Sequence, residues 1–145
     1  LTQNRLNYGI IMHDILRNIK YKSDQNNAIL EMISEGRINE SDRVIIENEM
    51  DKFWALPFVD GWFHENQTVL NEATILTPTG EMYRPDRVSI KDKSAVIVDY
   101  KFGYVEQNSY LKQVKAYHNL ISDMGFDVRS FLCYVTLGKV VEVQV

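Results

Sequence analysis

The segment Ala95-Val96-Ile97-Val98-Asp99-Tyr100-Lys101 opens as a continuous apolar run, the composition of a strand buried on both faces, and closes on two charges. Asp99 and Lys101 stand two residues apart, so on a strand they project from one face. A carboxylate and an ammonium at the buried end of a strand are each costly unless paired or bound to a metal. One reading is an ion pair emerging into solvent at the strand end. The other is a site. Asp86, in Arg84-Pro85-Asp86-Arg87, bears on the choice: with a turn centred between Asp92 and Lys93 it stands opposite Asp99 on the adjacent strand. Like charges directly opposite destabilise a sheet. A divalent cation between them is the natural remedy, since hard cations take carboxylate oxygens. The plainer alternative pairs Asp86 with Arg84 or Arg87.

Glu72 is a third acid, on the preceding strand, where Leu70, Glu72 and Thr74 would share a face; taken alone it is a solvated surface acid. His13 lies on a helix, roughly 150° around the wheel from the centre of the Tyr8/Ile11/Met12/Ile15/Ile19 stripe at about 100° per residue. Leu6, Ile10 and Leu16 lie near its side, so His13 points either to a second packed layer, as a structural histidine, or to a metal. A neutral imidazole suits Mn²⁺ better than Mg²⁺. Gln113 and Tyr117 are four apart and share a face of a later helix. Core packing explains Tyr117 but not Gln113.

The elements that would position these residues divide the chain into a helical first half and a mostly stranded second half. Helical spacing predicts helices over 5–21, 25–35 (stopping at Gly36) and 41–55 (ending before Pro57). From 67 onward β-forming residues predict strands over 68–77, 81–91 and 95–101, with turns at Pro78-Thr79-Gly80 and Lys91–Ser94, hence a three-strand meander. A helix over 107–124 and two further strands, 127–136 and 139–145, complete an α+β chain.

Length and composition bound the rest. A chain of 145 residues is the size of one domain, and 45% hydrophobic against 25% charged residues excludes disorder and low-complexity sequence. Sixteen basic against twenty acidic side chains give a net charge of −4, which on its face speaks against a nucleic-acid partner. A single cysteine, Cys133, excludes disulfide scaffolds, cysteine-rich zinc modules and four-cysteine iron–sulfur clusters. Without a signal-peptide pattern or an apolar run of membrane-spanning length, the expectation is a cytoplasmic protein with no membrane partner. The chain starts at Leu1 inside a helical pattern, so a fragment cut from a longer polypeptide is expected.

In their order along the chain these residues resemble the PD-(D/E)xK nuclease superfamily, and within it the RecB-like nuclease domain at the C-terminus of bacterial helicase–nucleases of the AddA type. Gly9-Ile10-Ile11-Met12-His13 resembles the G-x-x-x-H helix of that family, Glu72 its strand acid and Pro85-Asp86 its PD element. Asp99-Tyr100-Lys101, followed by Phe102-Gly103, is similar to its DYK-x-G signature, and Gln113 to Tyr117 to its Q-x-x-x-Y helix. Each piece alone is common; the ordered set, from residue 9 to 117, is specific.

The resemblance implies one nuclease domain over 1–145 with an α/β/α, restriction-endonuclease-like core. It also implies a DNA partner, and an ATP-dependent helicase motor in the missing N-terminal part, since no phosphate-cradling G-x-x-x-x-G-K-[ST] loop is present. His13, Asp86, Asp99 and the Tyr100 carbonyl would ligate Mg²⁺ or Mn²⁺, and Lys101 would orient the attacking water and stabilise charge on the phosphate. Glu72 would bind water or a second ion. Gln113 and Tyr117 would hold the DNA backbone or brace Lys101. Relatives that close the domain with an iron–sulfur cluster need cysteines that Cys133 alone does not supply, so no cluster is expected. The implied activity is that of a metal-dependent deoxyribonuclease in DNA repair or recombination. Exonucleolytic action is expected ahead of endonucleolytic action, between which the residues do not choose. The alternative is a catalytically silent DNA-binding or bracing domain of the same fold.

Overall fold

The computed structural model describes residues 5–145, with side chains from Tyr8 onward; Leu1 and the Leu6 side chain, both used above, lie outside the described residues. The chain forms two compact units, Leu1–Glu65 and Asn66–Val145. Together they contain helices and a mixed five-stranded sheet, so the α+β class expected from the sequence holds.

The N-terminal unit is helical: α1 (Arg5–Arg17), α2 (Gln25–Ser34), α3 (Arg43–Trp54) and a four-residue helix α4 (Val59–Trp62). The helical spacing is visible in burial, since Met12, Ile15, Leu16 and Ile19 are fully buried while Ile10 is exposed. Helix α2 stops where the sequence places its end. Gly36 takes φ +73°, and the Gly36 and Arg37 N–H groups donate to the Ile33 and Met32 carbonyls, both at 3.0 Å, which satisfies carbonyls a helix end leaves orphaned. Phe63 packs edge-on against Phe53 and Trp54, with centroids 5.8 and 4.8 Å away.

The C-terminal unit is a sheet with one helix. Its strands are β1 (Thr68–Asn71), β2 (Ile75–Leu76), β3 (Met82–Tyr83), β4 (Arg87–Lys91), β5 (Ser94–Lys101), β6 (Asp127–Tyr134) and β7 (Lys139–Glu142), with α5 (Asn108–Asp123) between β5 and β6. The main sheet runs β1-β4-β5-β6-β7, antiparallel except for the parallel β5–β6 pair that α5 connects. Val88, Ala95 and Ile97 of the sheet pack with Tyr117 and Ile121 of α5 in one buried cluster. Val114 packs with Leu132, Tyr134 and Val143 in another.

Two of the expected strands are broken. The segment 68–77 divides because Glu72 adopts φ +50°, left-handed backbone that ends β1 at Asn71. The segment 81–91 divides at Arg84–Asp86, where Pro85 has no N–H to give a ladder and restricts the residue before it. The released pieces pair with each other as the small β2–β3 hairpin. The antiparallel order β1, β4, β5 survives, so the meander persists with a hairpin set into it.

Among the described residues no helix is long and apolar enough to cross a membrane.

Candidate functional site

Strands β4 and β5 leave the turn at Asp92-Lys93 in the register expected from the sequence, from Lys91 opposite Ser94 to Arg87 opposite Val98. Asp92 takes φ +54°, the left-handed conformation that two-residue hairpin turns demand and that Asp tolerates. Beyond Arg87 the ladder passes from backbone to side chains. The Asp86 N–H donates to Asp99 Oδ1 at 3.2 Å, and the Tyr100 N–H donates to Asp86 Oδ2 at 2.8 Å. Each acid is therefore fixed by the backbone of the other's segment, and the two are brought side by side.

This clasp sets the electrostatics. Asp99 is 3% exposed. Burial, then the neighbouring Asp86 carboxylate, push its pKa up to about 6, against the opposing pull of Lys101. Lys101 Nζ lies 3.0 Å from Asp99 Oδ2 and donates to Gln113 Oε1 at 3.1 Å. It also sits 4.5 Å from the centre of the Tyr110 ring. The ion pair is thus present: Asp99 and Lys101 are paired at the buried end of β5, beside a second acid.

Glu72 stands one residue past β1, and its N–H donates to the Asp86 carbonyl at 3.0 Å. Because β1 ends at Asn71, the shared strand face expected for Leu70, Glu72 and Thr74 does not form. Glu72 and Asp86 nevertheless offer carboxylate oxygens within 4.8 Å of each other. Arg84, considered above as a partner for Asp86, engages Glu72: its Nη2 lies 3.1 Å from Glu72 Oε2 and its Nε donates to the Glu72 carbonyl at 3.0 Å. Arg87, the other candidate, is fully buried and lies close enough to the Tyr100 phenol to oppose the upward push of burial on it.

Helix α5 completes the site from above. Tyr117 is buried, its hydroxyl donates to the Arg84 carbonyl over a long 3.5 Å, and its ring meets Tyr83 edge-on at 6.0 Å. Burial, then Asp99 and Asp86, push its pKa up to about 12, so the phenol keeps its proton beside the acids. Gln113, exposed on the helix, accepts from Lys101 and also interacts with the Tyr117 hydroxyl. His13 lies half-buried on α1 of the N-terminal unit. Tyr110 is the residue that the sequence reading passed over; its signal was its place three before Gln113 and seven before Tyr117, on the same helical face.

Glu72, Asp86 and Asp99 bring three carboxylates together, with Arg84 on Glu72 and Lys101 on Asp99. A further positive charge beside Asp86 and Asp99 would relieve the pressure on Asp99 to hold a proton. The donors are hard oxygens, which fit Mg²⁺ or Mn²⁺ and not a soft metal.

A pH dependence follows. Asp99's pKa is raised in the folded state above its ordinary value of 3.8, so the folded chain binds this proton more tightly than the unfolded chain. Its contribution to stability is fully present below about pH 4 and is lost as pH rises through about 6, a change of about 3 kcal/mol over the window. With chelator present, the denaturant midpoint of the wild type relative to that of Asp99→Asn should fall between those pH values; a difference that rises there would contradict the strained carboxyl. Saturating Mn²⁺ should remove the fall.

No protein-family model matches the chain, and the search of curated proteins finds no significant match.

Proposed function

We propose that the C-terminal unit carries the catalytic centre of a divalent-metal-dependent deoxyribonuclease, a phosphodiester hydrolase with a PD-(D/E)xK, restriction-endonuclease-like core. The observation that carries this reading is the reciprocal clasp of Asp86 and Asp99 with Lys101 on the second acid. It gathers hard anionic donors and one ammonium within a single partly shielded corner.

Asp86, Asp99 and the Tyr100 carbonyl would hold Mg²⁺ or Mn²⁺, with Glu72 available through water or for a second ion. His13 enters the ligand set through the sequence resemblance. When bound, the cation would polarise the phosphodiester and lower the pKa of a coordinated water. The chain's own residues do the remainder. Lys101 places a positive charge where negative charge grows on the phosphate, and orients the attacking water. Gln113 holds the ammonium to that task, and Tyr117, buried with its hydroxyl on the Arg84 carbonyl, keeps its proton beside the acids. DNA is the substrate, exonucleolytic attack the expected mode, and a helicase motor in the same polypeptide the expected source of strand in a cytoplasmic repair or recombination enzyme. The net charge of −4 does not count against this, because three of the acids form the site and a motor would do the holding.

The test is incubation with linear and circular DNA, single- and double-stranded, in Mg²⁺ or Mn²⁺. Cleavage should appear with metal, stop with EDTA and resume on adding metal back. A flat calorimetric titration at millimolar Mn²⁺ would sink the reading. Metal binding without cleavage would favour the catalytically silent alternative.

A further inference from the structure

We infer that Tyr110 is a positioning residue for Lys101: its ring fixes where the ammonium sits at the mouth of the site. This rests on the nuclease reading for its consequence in catalysis but not for the contact itself.

The ammonium has three N–H donors. Asp99 Oδ2 and Gln113 Oε1 lie 3.0 and 3.1 Å from the nitrogen, and the face of Tyr110 lies against it, 4.5 Å to the ring centre. A lysine side chain carries four rotatable carbons and no intrinsic preference for one direction. Two hydrogen bonds leave it free to pivot about the line between their acceptors, and the ring closes that freedom.

The ring is itself held. Tyr110 packs against the buried cluster of Val114, Leu132, Tyr134 and Val143, with its centroid 6.4 Å from that of Tyr134. Tyr134 in turn is the residue beside Lys101 across the parallel β5–β6 pair. A rigid path therefore runs from the core of the sheet through Tyr134 and Tyr110 to the ammonium. Gln113 is exposed on the helix, and its side chain is tied to the Tyr117 hydroxyl rather than packed in the core. A quadrupole needs no hydroxyl, so the ring face and not the phenol carries the effect.

Two measurements on the full chain decide it. The first is NMR of ¹³C/¹⁵N-lysine-labelled protein in chelator, with Lys101 assigned by Lys101→Arg. The Lys101 Hε protons should lie upfield through the ring current of Tyr110, remain so in Tyr110→Phe, and return towards random-coil positions in Tyr110→Leu and Tyr110→Met. Both apolar variants keep bulk on Tyr134, so a misfolding Leu variant leaves the Met one to read. Hε shifts unchanged in the apolar variants would overturn the inference.

The second is cleavage in Mn²⁺. The apolar variants should lose about tenfold in kcat, ~1.4 kcal/mol of barrier, with KM and Mn²⁺ affinity within about twofold. Tyr110→Phe should rescue them. A KM effect in place of a kcat effect, or equal losses in Phe and Leu, would count against positioning by the ring. If the wild-type chain cleaves no DNA, the nuclease reading fails, while the NMR arm still rules for or against the contact.

Discussion

Asp99→Asn should abolish cleavage, by at least about a thousandfold, while raising the thermal midpoint of the chelator-treated protein at about pH 8. The two effects have opposite signs because one group serves opposed ends. Asn is close in shape to a protonated Asp, and protonation is what burial and the Asp86 carboxylate favour at this position. The amide oxygen can still accept the Asp86 N–H, so the clasp with Asp86 keeps its bond from that side. What is lost is the anion that faces Lys101 and that would face a metal. The gain should be on the order of 1–3 kcal/mol, several degrees for a chain this size, and should vanish below about pH 4, where the wild-type carboxyl is already protonated. Calorimetric midpoints across pH, with and without Mn²⁺, provide the check. Mn²⁺ should stabilise the wild type and leave Asp99→Asn where it was. A variant that unfolds more easily at high pH than the wild type would refute the strained-acid description.

Lys101→Met should give the complementary result, with cleavage reduced about a hundredfold to ten-thousandfold and Mn²⁺ binding retained. Lys101 pulls the Asp99 pKa down from where burial and Asp86 push it. Removing the ammonium therefore lets the acid hold its proton to higher pH, and the pH at which Mn²⁺ binds half-maximally should move upward. At about pH 8.5 both proteins should bind metal, and only one should cut. Titration calorimetry at two pH values beside a cleavage assay separates the roles. If Lys101→Met still cleaves at the wild-type rate, the ammonium is an ion-pair partner and nothing more.

The register that brings Asp86 to Asp99 was legible in the sequence because a two-residue turn leaves no slack: fix its centre and every pair is fixed. The apolar run before Asp99 announced burial for the same simple reason. The break at Glu72 was not legible, since nothing in a glutamate signals left-handed backbone, and the strand-like composition continues through to Thr77. Pro85 did carry a signal, a missing donor in the middle of a supposed strand, and it marks where the chain departs. Helix α4 follows a left-handed Phe58 and spans four residues, too short for any periodicity to register. Tyr110 was visible as an aromatic on the right helical face, but its meaning depended on the lysine that the fold sets beneath it.

Three of the contacts that build the corner share one further property. Glu72 meets Arg84, Asp86 meets Asp99, and Lys101 meets Gln113 across gaps of 12, 13 and 12 residues. Each of these three closures spans a short loop, so its own closure entropy is small, unlike that of the Tyr117–Arg84 contact across 33 residues. Closure of loops this short is quick. The acids and the lysine therefore lie on one continuous stretch, from Glu72 to Lys101, within a single compact unit.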